Sequence, residues 1–98
     1  MIRHTVVFRL KHPAGSVEET EFLGAARKLA EIPAVRNFEC LRQVSKKNGY
    51  HFGLSMEFPD LESYDSYNRH PDHATFVQSR WIPEVAEFLE IDYVPHLL

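Results

Sequence analysis

Apolar and polar residues alternate between positions 2 and 11. Ile2, His4, Val6, Phe8 and Leu10 fall on one side of an extended chain, and Arg3, Thr5, Val7, Arg9 and Lys11 on the other. This period of two predicts a half-buried strand. His12-Pro13-Ala14-Gly15 breaks it. Ser16-Val17-Glu18-Glu19 fits a capping box, with Ser16 as N-cap and Glu19 at the third helical position. Phe22, Ala25, Ala26 and Leu29 then recur on one helical face. Pro33 disfavours helical geometry at Ile32, so the helix stops near there. Residues 35–44 read as a second strand with Phe38, Cys40 and Val44 on one face. Ser45-Lys46-Lys47-Asn48-Gly49 is a polar turn. It leads into a clear strand over 50–58, with Tyr50, Phe52, Leu54, Met56 and Phe58 together, which makes a hairpin.

Asp60 is placed to cap a helix through Leu61, Tyr64 and Tyr67. His70-Pro71 interrupts that helix, and Pro71 suits the first turn of another carrying Ala74, Val77 and Trp81. Pro83 kinks or ends it, and residues 88–94 read as a last strand. The order β-α-β-β-α-β predicts an α+β fold, the ferredoxin-like split arrangement, with one four-stranded antiparallel sheet. The 98 residues fit one domain.

Helices on one side of such a sheet leave its other face open. Thr5, Val7, Arg9, His51, Ser55, Glu57, Glu90 and Asp92 are assigned to that outer face. It is either solvated, as antiparallel sheets allow, or packed against a second copy in a two-fold homodimer. In the dimer, Arg9 would match Glu57 or Asp92 of the other copy.

Composition narrows the classes. An apolar share of 44% argues against disorder, and a formal charge of −3 carries no nucleic-acid footprint. No apolar run approaches the roughly 18 residues of a membrane span. The start of the chain reads as strand, not signal peptide. Cys40 is the lone cysteine, so a reducing, cytoplasmic setting is expected.

The candidate chemistry lies in histidines and aromatics. His4 sits among core positions, where it either bonds to a carbonyl or tyrosine or lines a cavity. His73 shares a side with Val77 and points inward, and His70 is placed to cap at the helix break. If His4, His73 and Tyr67 or Tyr64 surround one pocket, they supply acid–base groups near neutrality and a phenol to bind a carbonyl oxygen as it turns negative. Phe8, Phe22, Phe76, Val77 and Trp81 would give it apolar walls for a small hydrophobic ligand. Asp72, next to His73, points away from it. His4, His70 and His73 lack a fourth ligand, so no metal is assigned. Cys40 reads as a small packed residue. No phosphate loop or nucleophile elbow is present.

Ile2-Arg3-His4-Thr5-Val6-Val7-Phe8-Arg9-Leu10-Lys11 resembles the opening strand of the Dabb family, the stress-responsive dimeric α/β-barrel domains. Ile32-Pro33-Ala34-Val35, Tyr67-Asn68-Arg69-His70-Pro71-Asp72-His73 and Ile91-Asp92-Tyr93 resemble its later segments. The resemblance implies a ferredoxin-like protomer and a homodimer whose sheets close into a barrel. A plant polyketide cyclase of the family closes a linear thioester by an aldol reaction without a cofactor. The resemblance places its two histidines at His4 and His73 and one pocket tyrosine at Tyr67. Its other pocket tyrosine falls near Ala25 here, which removes a hydroxyl. The implied function is a cofactor-free enzyme acting on a small carbonyl or polyketide-like compound. The alternatives are a non-catalytic stress-response or ligand-binding protein, and a cofactor-independent monooxygenase by analogy of fold.

Overall fold

The structure, a computed structural model, describes residues 1–97. Strand β1 (Ile2–Leu10) leads into helix α1 (Val17–Arg27), which tightens into a 3-10 turn over Lys28–Glu31. Strands β2 (Arg36–Arg42) and β3 (Phe52–Phe58) form the hairpin. Helix α2 (Leu61–Arg69) and helix α3 (Pro71–Phe76) follow, then a π-helical turn (Val77–Trp81), helix α4 (Ile82–Glu84) and strand β4 (Val85–Tyr93). All pairings are antiparallel, in the order β2-β3-β1-β4. This is the ferredoxin-like α+β fold expected from the alternating pattern.

The local signals act as expected, with differences of detail. The Ser16 hydroxyl accepts from the Glu19 N–H, but the Glu19 carboxylate reaches one residue further back, to the N–H of Gly15. Gly15 has φ +77°, a left-handed conformation that glycine adopts without steric cost. Asp60 caps α2 through the N–H of Ser63. His70 ends α2 and caps α3, its Nδ1 accepting from the N–H of Asp72. The π-helical turn comes just before Pro83. Proline lacks an N–H, and in a regular helix its ring would meet the carbonyl four residues back, at Ser79. Glu84 ties this end down. Its Oε1 lies 2.7 Å from His12 Nε2, and its Oε2 lies 3.1 Å from Arg80 Nε.

The core lies between sheet and helices and includes Val6, Phe8, Leu10, Phe22, Ala26, Phe52, Leu54, Met56 and Phe58. The last strand differs from its expected placement. It begins at Val85 instead of residue 88. Its register sets His4 opposite Asp92, Val6 opposite Glu90 and Phe8 opposite Phe88. Directly opposed residues share a sheet face, so Glu90 and Asp92 lie under the helices and not on the outer face. Leu89, Ile91 and Tyr93 take the outer positions beside Val7, Thr5 and Arg3. The outer face is therefore more apolar than the sequence pattern suggested. Its charges also pair within the protomer, Arg3 with Glu57 and Arg9 with Glu87.

Candidate acid–base site

His4 and His73 converge on one cavity of about 350 Å³ between the sheet and the α2–α3 region. Tyr67, Phe76, Val77 and Trp81 line it as the sequence suggested, joined by Val6, Leu29, Leu54, Met56, Asn68, Ile82, Phe88 and Glu90. The exposed side chains of Ile82, Phe88 and Glu90 mark where it opens. Phe8 and Phe22 do not line it. Both are fully buried behind the lining, with Phe8 5.0 Å from the Trp81 ring and Phe22 5.6 Å from the Phe76 ring. Their β1 and α1 positions face the sheet–helix core, so they brace the wall without reaching the void. Ala25 lies on a separate depression and does not touch this cavity.

Tyr64 also stands outside the lining, in a polar triangle beside it. His4 Nδ1 donates to Asp92 Oδ1 at 2.6 Å, and the Tyr64 hydroxyl donates to Asp92 Oδ2 at 2.8 Å. The Tyr64 oxygen lies 3.0 Å from His4 Nδ1. These contacts satisfy a buried imidazole and leave its Nε2 facing the cavity side, where Glu90 Oε1 lies 3.9 Å away. Burial, then the hydrogen bond to the Asp92 carboxylate, pushes the Tyr64 phenol well above its ordinary range.

His73 is held differently. Its Nδ1–H donates to the backbone carbonyl of Asn68 at 3.2 Å. The ring packs 4.5 Å from that of Tyr67. With Nδ1 carrying the proton, Nε2 keeps its lone pair. Burial lowers the His73 pKa, partly opposed by the Asn68 contact, so the neutral ring is favoured. Tyr67 is only 2% exposed, and its hydroxyl has no hydrogen-bond partner among the described residues. Burial, then the Glu90 charge, pushes its phenol far up, which keeps it a proton donor. One neutral base and one unspent O–H donor thus share a largely apolar cavity.

His70 is spent on its cap and does not line the cavity, and the Asp72 side chain points to solvent. Among the described residues, no group of three or more His, Cys, Asp or Glu is arranged for a metal. Burial raises the Cys40 thiol pKa, in keeping with a packed residue. Asp92, Glu90 and the Asn68 carbonyl are the site groups that sequence reasoning did not bring to the pocket. The strand register is the signal that would have found the two carboxylates.

A four-stranded antiparallel sheet with a histidine-lined cavity under its helices defines a small ferredoxin-like α+β domain protein. The model of the Dabb family, the stress responsive A/B barrel domain, matches residues 2–95, and the chain belongs to that family. A Dabb family protein from Mesorhizobium loti is 60% identical over 97% of this chain and 96% of its own, with a TM-score of 0.96. A dimeric ferredoxin-like protein of unknown function from Thermobifida fusca is 22% identical over 96% of this chain and 90% of its own, TM-score 0.79. The hydroxynitrile lyase of Passiflora edulis is 14% identical over 97% of this chain and 93% of its own, TM-score 0.85. The last two share the fold. Among curated proteins none matches.

Proposed function

We propose that this chain is an acid–base enzyme acting on a small, mostly apolar carbonyl compound without a cofactor. The observation that carries the reading is the pairing of His73 and Tyr67 in one cavity. His73 presents a free Nε2 lone pair, and the Tyr67 hydroxyl has no partner within the described chain. His73 Nε2 takes a proton from the carbon next to the carbonyl. The electron pair moves onto the carbonyl oxygen, and the Tyr67 O–H stabilises the resulting enolate. His4, oriented by Asp92, stands ready to pass a proton to or from the far side of the ligand. A β-keto chain treated in this way would attack a second carbonyl as an aldol donor. The fold is no obstacle, since a hydroxynitrile lyase shares it.

The test is turnover of β-keto compounds by wild type and His73→Ala. Loss of turnover in a folded variant supports the reading, and unchanged turnover removes His73 from the mechanism. The apolar share of the lining favours a second reading, a stress-related binder of hydrophobic small molecules. Stabilisation that rises with ligand concentration, with no chemistry, would select it.

The assembly we assign is a homodimer through the outer sheet face. Leu41, Leu89, Ile91 and Tyr93 are exposed in the protomer beside Val7. An apolar sheet face of this kind is normally covered, and the Thermobifida fusca protein of the same fold is dimeric. Among the described residues, no helix is long and apolar enough to cross a membrane. With its one free thiol, the cytoplasm is the compartment we assign.

A further inference from the structure

One polar group of the cavity has no part in that mechanism. Glu90 is the lone carboxylate lining the void among the described residues, in company with Val6, Met56, Trp81 and Phe88. Its Oε1 lies 3.9 Å from His4 Nε2, on the opposite side of the ring from Asp92. That separation is too long for a direct hydrogen bond. An oxygen atom about 2.8 Å from each reaches both from one side of the line joining them. Asp92 holds the other ring nitrogen at 2.6 Å, so the imidazole is not free to turn and close the gap.

We propose that His4 and Glu90, where they line the cavity together, form a hydroxyl subsite. Glu90 selects uncharged hydroxy-carbonyl compounds and rejects carboxylic acids. This inference rests on the reading of the cavity as a carbonyl site and adds its substrate class. The ligand hydroxyl donates its proton to the Glu90 carboxylate, and its oxygen accepts from Nε2–H when His4 is protonated. The carbonyl end then lies toward Tyr67 and His73. A ligand carboxylate in the same place meets Glu90 as a like charge. A ligand lacking the hydroxyl forgoes a hydrogen bond to a charged group, worth about tenfold in affinity.

The experiment is calorimetric titration of the full chain with 4-hydroxyacetophenone, acetophenone and 4-acetylbenzoate, using wild type, Glu90→Leu and Glu90→Gln. Wild type should bind the hydroxy ketone about tenfold tighter than acetophenone, and 4-acetylbenzoate most weakly. Glu90→Leu should bring the first two within about twofold of each other. Glu90→Gln, which keeps an acceptor and loses the charge, should relieve the penalty on 4-acetylbenzoate. Equal binding of the two ketones by wild type, or a ranking that survives Glu90→Leu, overturns the hydroxyl subsite and leaves the carbonyl site standing. Failure of all three to bind wild type overturns both.

Discussion

His4 and Asp92 face each other across the β1–β4 ladder, with Nδ1 and Oδ1 2.6 Å apart. The pair links the second residue-pattern signal of the first strand to the last strand of the fold, 88 residues away. Asp92 fixes which nitrogen of His4 carries the proton. Asp92→Asn should release that constraint. Stability should fall by about 1–2 kcal/mol, since the pair is only partly buried. Imidazole nitrogen shifts in NMR should show a changed tautomer balance at His4. An unchanged His4 spectrum in this variant contradicts the orienting role.

Tyr67→Phe removes a hydroxyl with no partner in the described chain and keeps the ring that packs on His73 and Phe58. Thermal unfolding should therefore shift by less than about 1 kcal/mol. Turnover should fall about a hundredfold, as for loss of one donor to a developing oxyanion. A large stability loss with turnover intact would mark the hydroxyl as structural.

The lowered pKa of His73 sets a direction for pH. In the unfolded chain the ring titrates near 6.5, and in the fold it titrates lower. Between those values the unfolded state binds more protons, so stability drops as the pH falls below 6.5. Above 6.5 this group adds no slope. Urea unfolding of wild type and His73→Ala at pH 7.5 and pH 5 should show a smaller acid loss in the variant. Activity should likewise fall on the acid side, as the Nε2 lone pair is protonated.

Ile91→Lys places a charge on the β4 side of the outer face without touching the core. The protomer should stay folded by circular dichroism, and sedimentation should give the mass of one chain where wild type gives two. A wild-type monomer, or a variant dimer of wild-type strength, would move the interface elsewhere.

The helices, the hairpin and the inward side of β1 could be read from the chain because each rests on local signals: Ser16 and Asp60 as caps, Pro33 as a stop, Pro83 as the cause of a distorted turn, and alternation through Val6 and Phe8. The placement of β4 could not. Its apolar residues Leu89, Ile91 and Tyr93 alternate with Glu90 and Asp92, and a pattern rule sends the polar set to the outside. In the fold the rule inverts. Polar groups are needed under the helices, where they serve the cavity and satisfy His4. The apolar set faces the side we assign to a second copy. Only the β1–β4 register, a long-range property, decides between the two. Phe8 and Phe22 show the same limit on a smaller scale. Their burial was legible, but not their place behind Trp81 and Phe76 instead of at the void.

The most direct measurement is enzyme-catalysed exchange of the methyl protons of acetophenone in deuterium oxide, followed by proton NMR. It asks for proton abstraction next to a carbonyl and for nothing else about the natural substrate. Wild type should accelerate the exchange over buffer. His73→Ala should lose at least about a hundredfold of that acceleration while remaining folded and dimeric. Equal exchange by wild type and His73→Ala would contradict the assignment of His73 as the base.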